Sequence, residues 1–129
     1  MTLSEADEHH MRAAEGWLDL DEAVQAAEEL EKVELKSHPV VLFLRCRIYL
    51  ETHRPEYTQT IATRLTESIP DSPDAWFYLA CACSRLQQHD DARQALKRCF
   101  IAAARKDEEQ KWQDRAVNSR DLEALYRST

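Results

Sequence analysis

Glycine occurs once, at Gly16, and proline four times, at Pro39, Pro55, Pro70 and Pro73. Tight hairpins draw on glycine and on Asn-Gly or Asp-Gly pairs. This chain has neither pair, so a protein built on sheets is excluded. The same scarcity leaves no Gly-rich phosphate loop and no G-x-S-x-G nucleophile elbow. No apolar run approaches the roughly 20 residues of a membrane span. The first sixteen residues, MTLSEADEHHMRAAEG, lack the basic start and apolar stretch of an export signal. A cytoplasmic, non-membrane protein is therefore expected.

What is present is helix-forming. Alanine, leucine, glutamate, arginine and glutamine are abundant, and all favour helix. Apolar residues make up 43% and charged residues 32% of 129 residues, which places the chain among globular proteins of one domain. The fold expected is all-α.

Charge is uneven. The net charge is −7, yet residues 1–36 hold eleven acids against three bases. Residues 37–129 hold thirteen acids against fourteen bases. An acidic front end repels phosphate, so nucleic acid is not expected as a partner. A basic partner suits it better.

Apolar steps of three and four mark six helices. Leu3, Ala6, His10, Ala13 and Trp17 share one face, with Ser4 as N-cap and Asp7 in the place of a capping-box glutamate. Ala23, Ala27, Leu30 and Val33 share the next, capped by Asp19 or Asp21. Pro39 opens a third helix at its first position, where proline costs no hydrogen bond. Its buried side carries Leu42, Cys46, Tyr49 and Leu50. Pro55 opens a fourth, with Thr58, Ile61, Ala62, Leu65 and Ile69. Ser72 caps and Pro73 opens a fifth, with Trp76, Leu79, Ala80 and Cys83 on its buried face. Trp76 is expected in the core, where truncation to alanine costs about 3–5 kcal/mol. Asp90 is expected to cap a sixth helix, with Ala92, Ala95, Leu96, Cys99 and Ala103 inward. Two shorter helical segments follow Lys106, divided at Val117-Asn118-Ser119. Their apolar residues, Trp112, Val117, Leu122, Leu125 and Tyr126, are expected to cover Phe100 and Ile101.

A shift of 34 residues aligns the chain with itself. Pro39 falls on Pro73, Leu42 on Trp76, Phe43 on Phe77, Cys46 on Ala80 and Thr58 on Ala92. Small residues at Cys46 and Thr58, and at Ala80 and Ala92, let paired helices approach closely. The last unit reads Trp76-x2-Leu79-Ala80-x2-Cys83…Ala92-x3-Leu96. The middle unit reads Leu42-x2-Arg45-Cys46-x2-Tyr49…Thr58-x3-Ala62…Pro70. In this the chain resembles the tetratricopeptide repeat family, whose pattern is W-x2-L-G-x2-Y…A-x3-F…P. The middle unit departs at Arg45, and the last at Cys83 and at Ala104, where proline is usual.

The resemblance implies an α-α superhelix of three helix pairs plus C-terminal capping helices, one domain over 1–129. A degenerate repeat would span 1–36, full repeats 37–70 and 71–105, and the cap 106–129. It also implies a non-catalytic module that binds a peptide or protein segment in a concave groove, as scaffold or adaptor. The first helix of each pair would line that groove. This names Val40, Phe43, Leu44, Arg47 and Glu51 in the middle unit, and Phe77, Tyr78, Cys81 and Arg85 in the last. Aromatics beside arginines are common interface anchors, and Arg47 and Arg85 suit a carboxylate. Members that clamp a chaperone's C-terminus use lysines and asparagines, a set missing from these faces. Small acidic members also resemble secretion chaperones, the alternative within the same class. Self-association through an open end is a further reading.

No catalytic residue, metal or cofactor is expected. Cys81 and Cys83 stand two apart, pointing to nearly opposite sides of a helix. With Cys46 and Cys99 they read as buried free thiols. A thiol or metal protein using Cys81, Cys83 and Cys99 is the competing hypothesis of a different kind, and a Cys83–Cys99 disulfide suits the geometry but not the compartment. His9 and His10 are adjacent and need a third ligand. His38, His53 and His89 fall at loops or caps. Asp90-Asp91 reads as helix-start charge rather than a catalytic dyad.

Overall fold

The computed structural model describes residues 2–127. Among them there are eight α-helices and one 3-10 turn, with no strand. The helices are α1 (Glu5–Asp19), α2 (Ala23–Glu31), α3 (Pro39–Glu51), α4 (Pro55–Ser68), α5 (Pro73–Arg85), α6 (His89–Ala104), α7 (Glu109–Val117) and α8 (Glu123–Arg127). The 3-10 turn, Arg120–Leu122, stands between α7 and α8. No helix among these residues is long and apolar enough to cross a membrane.

Helix boundaries follow local chemistry. Ser4 caps α1, accepting the Asp7 N–H at 3.1 Å. Pro39 and Pro73 each open a helix at its first position. His38 caps α3 by accepting the Val40 N–H at 3.2 Å. Three expected caps differ. Asp21 lies beyond α1 in the left-handed region, and Glu22 precedes α2 without a side-chain cap bond. Ser72 precedes α5 without using its hydroxyl. Asp90 lies inside α6, where it and Asp91 complement the helix dipole.

One stop signal recurs. Asp21, His53, Gln87 and Asp107 all have positive φ, near 60°. Each turns the chain after a helix, and the N–H groups that follow close back on the last turn. Glu22 N–H reaches the Trp17 carbonyl at 2.8 Å, Arg54 reaches Tyr49 at 2.7 Å, and Gln88 reaches Cys83 at 2.8 Å. This is the Schellman arrangement, usually given to glycine. Among the described residues it is built four times without one, the fourth by the Glu108 N–H reaching the Ala103 carbonyl at 2.9 Å.

The described residues pack as two compact units that divide between Arg54 and Pro55. The boundary falls between α3 and α4, which the repeat alignment puts in one repeat.

In the first unit α1, α2 and α3 enclose a core of Met11, Ala14, Leu18, Ala26, Leu30, Val33, Val41, Leu44 and Ile48. The inward face of α1 is Asp7, Met11, Ala14 and Leu18. That is one residue round from the face read off the apolar spacing. Trp17 is left exposed and Ala6 with it. Met11, Ala14 and Leu18 themselves stand at helical steps of three and four, and Asp7 continues that face, buried and accepting the N–H groups of Glu34 at 2.9 Å and Leu35 at 3.2 Å. These bonds orient α1 over the segment that follows α2.

In the second unit α5 is central and packs against α4, α6 and the 3-10 turn. Nine of its thirteen residues are buried, so it shows no single apolar stripe. The inward face of α6 is Ala92, Ala95, Leu96, Cys99, Ala102 and Ala103. Ala80 and Ala92 are fully buried, as a close α5–α6 approach requires. Trp76 is only half-buried. The tryptophan of this core is Trp112, on α7, at 1% exposure.

Candidate functional site

The expected groove residues fall into three conditions. In the first unit Val40 is exposed and lines a hollow of about 390 Å3 with Arg12 and His38. Phe43 is half-buried, Glu51 exposed, and Arg47 pairs with Asp19 at 3.1 Å. Leu44 lies in the core of the unit, 6% exposed, and offers no surface. In the second unit Phe77, Tyr78 and Cys81 are buried, and Arg85 is partly so.

What covers them is the chain's own C-terminal segment. The Trp112 ring packs on Phe77, centroids 5.4 Å apart. The Arg115 guanidinium stands 4.5 Å from the Phe77 centroid and 4.7 Å from that of Trp112. It also donates to the Tyr78 hydroxyl at 3.2 Å. Ser119 Oγ sits 4.0 Å from Cys81 Sγ. Arg85 donates to Asp121 at 2.8 Å. One face of α5 thus holds a helix and turn through an aromatic anchor, a stacked cation and an ion pair. Leu122 and Leu125 are buried alongside. Ile101, by contrast, stays 53% exposed, so the tail covers α5 rather than that part of α6. Phe100 shares an apolar hollow of about 230 Å3 with Leu96, Leu125 and Tyr126.

The opposite side of α5 faces a cleft of about 390 Å3 between α4 and α6. Trp76 forms one wall, its indole N–H donating to the Pro70 carbonyl at 2.8 Å. Arg98 lies over that ring at 5.6 Å. Gln59 crosses from α4, donating to Gln88 at 2.7 Å.

Trp112 was legible as a covering residue, though its partner is Phe77; Arg115, Ser119 and Asp121, which carry the polar contacts, are not revealed by apolar periodicity. The available signal was the three-residue step from Trp112 to Arg115, which sets both on one helix face.

The cysteines show no sign of activation. All four are buried and free. Burial pushes the Cys46 and Cys99 thiols up to about 12, and Cys81 well above its ordinary value. Cys83 is raised for the same reason, against a hydrogen bond from Gln59. Nucleophilic cysteines need the reverse shift. Cys81 faces Ser119 while Cys83 faces Gln59, so the two point apart as their spacing requires. Cys99 lies near enough to Cys81 to raise it further. Tyr78 is likewise raised by burial, with Arg115 opposing. Asp90 pairs with Arg93 at 3.4 Å at the start of α6.

The described residues define an all-helical protein in which neighbouring helices pack on one another. The chain matches no protein-family model, no curated protein and no solved structure.

Proposed function

We propose that this chain is a non-catalytic protein-interaction module of the tetratricopeptide kind, which binds a helical segment of a partner protein on the α5 face. The observation that carries the reading is the tail itself. Trp112, Arg115 and Asp121 engage Phe77, Tyr78 and Arg85 by the contacts a bound helix would use. A face that accepts one helix in this way accepts another of like chemistry, an aromatic with a cation three residues on and a carboxylate beyond. The finer fold is supported by helix starts at Pro39 and Pro73, 34 residues apart, and by the recurring turn at His53 and Gln87, also 34 apart. The scaffold reading is preferred to thiol chemistry because all four thiols are buried and raised.

Affinity capture from lysate of the source organism, read by mass spectrometry, tests this with two variants. Asp121→Arg sets a second cation against Arg85 and loosens the tail while leaving the α5 face intact. Arg85→Glu loosens the tail equally but reverses the charge that a partner carboxylate would meet. The expected result is one protein enriched on Asp121→Arg relative to the natural chain and depleted on Arg85→Glu. Equal recovery on all three removes the α5 face as the binding site. No specific protein on any of them removes the module reading.

A further inference from the structure

We propose that His9, His10 and Glu29 form a site for one divalent transition-metal ion of the zinc class, joining α1 to α2. In the sequence the histidine pair lacks a third ligand. The fold supplies it from nineteen residues on. His10 Nδ1 lies 2.7 Å from Glu29 Oε1. One donor atom from each of the three residues lies within 4.8 Å of the other two. Zinc bonds to nitrogen and oxygen are about 2.0–2.2 Å, so donors around a tetrahedral ion stand roughly 3.3–3.5 Å apart. Side-chain rotation must shorten the widest separation by up to about 1.4 Å and part the hydrogen-bonded His10 and Glu29 atoms by about 0.7 Å to reach that spacing, and His9 is exposed. The two rings meet edge-on, 5.5 Å apart and 67° inclined, so they are not locked face to face.

The donor set is two imidazoles and one carboxylate. Borderline ions such as zinc and copper(II) prefer it, whereas magnesium and calcium demand more oxygen. Three protein donors leave one position for water or a partner's side chain. Lys32 holds the second Glu29 oxygen at 3.1 Å. It orients the carboxylate as an outer-shell group would, and its charge also opposes the ion. The site is therefore of modest affinity, and removing Lys32 strengthens it. The surrounding residues 1–36, with eleven acids against three bases, favour a cation. A bound ion would tie α1 to α2 and so add to the stability of the first unit.

Calorimetric titration of the full chain with Zn2+ alone, thiols kept reduced and buffer non-chelating, tests the site. One equivalent is expected. His9→Ala and Glu29→Gln should each weaken binding by about tenfold or more, and Lys32→Ala should tighten it. Proton resonances of the His9 and His10 rings should shift on binding while those of His38, His53 and His89 stay. An absence of binding overturns the proposal. So does unchanged affinity in both ligand variants, which would place the ion elsewhere, or shifts confined to the other three histidines.

Discussion

The carboxylate of Asp7 accepts the backbone N–H of Glu34 at 2.9 Å, joining the first turn of α1 to the chain beyond α2. A second bond, from Leu35 at 3.2 Å, uses the other oxygen. Hydrogen bonds to charged groups contribute about 1.5–3 kcal/mol, and leaving a buried donor unpaired costs a similar amount. Asp7→Ala should therefore destabilise the chain by about 2–3 kcal/mol in urea unfolding. Asp7→Asn keeps one acceptor and should lose about half as much. An Asp7→Ala curve that overlays the natural one would remove this anchor.

The repeat pattern puts Trp76 in the core, but the fully buried tryptophan is Trp112 of the tail. Trp112 is 1% exposed against Phe77, whereas Trp76 stands half-open over a cleft. Trp112→Ala should cost about 3–5 kcal/mol, and Trp76→Ala about half of that or less. The Trp112 indole N–H is buried with no partner among the described residues. Trp112→Phe should then cost less than its lost volume implies, because an unpaired donor leaves with the ring. Parallel thermal melts decide the order, and equal losses at the two positions would contradict it.

Backbone freedom is placed where it is not needed. Gly16 lies within α1, and a Cβ there would meet nothing within 4 Å. Gly16→Ala should stabilise by about 0.4–1 kcal/mol. Gln87 has φ of 63° and no glycine to ease it. Gln87→Gly should gain about 1 kcal/mol by relieving the left-handed strain. A drop in melting temperature for either variant would show that the side chain contributes more than the backbone term.

The buried thiols set an alkaline limit. Burial raises Cys46 and Cys99 from an ordinary 9.0 to about 12. Below pH 9 both the folded and unfolded chains keep these protons, and the full stability is present. As pH rises toward 12 the unfolded thiols ionise while the folded ones cannot, so the unfolded state gains. Unfolding free energy should fall across that window. Cys99→Ala, compared with the natural chain at each pH, should show a shallower decline. Identical slopes would mean that Cys99 ionises as freely in the fold as out of it.

Much of the architecture was legible in the residues themselves. Prolines at helix starts act through a fixed φ and a missing N–H, both local properties, so Pro39 and Pro73 mark α3 and α5 without tertiary information. The inward face of α6 was also readable, because that helix buries a single stripe of small residues. The sequence by itself therefore determined an all-helical chain, most of its helix starts, and the burial of Cys46, Cys83 and Cys99, whereas Cys81, set in the groove by the repeat resemblance, is buried by the fold. Periodicity failed where burial was not one-sided. α5 is buried on most of its sides, so no single stripe orients it; the repeat pattern set Trp76 inward and Phe77 at a groove, and packing leaves Trp76 half-open and buries Phe77. It failed also in α1, where two neighbouring stripes both carry apolar residues and the buried one, Met11, Ala14 and Leu18, also takes in the polar Asp7. The tail contacts of Arg85 with Asp121, and the approach of Glu29 to His10, span thirty-six and nineteen residues. Such pairings depend on which way each helix returns, and that is decided by the tertiary fold, where the turns at Asp21 and Gln87 set the direction and side-chain packing sets the rotation.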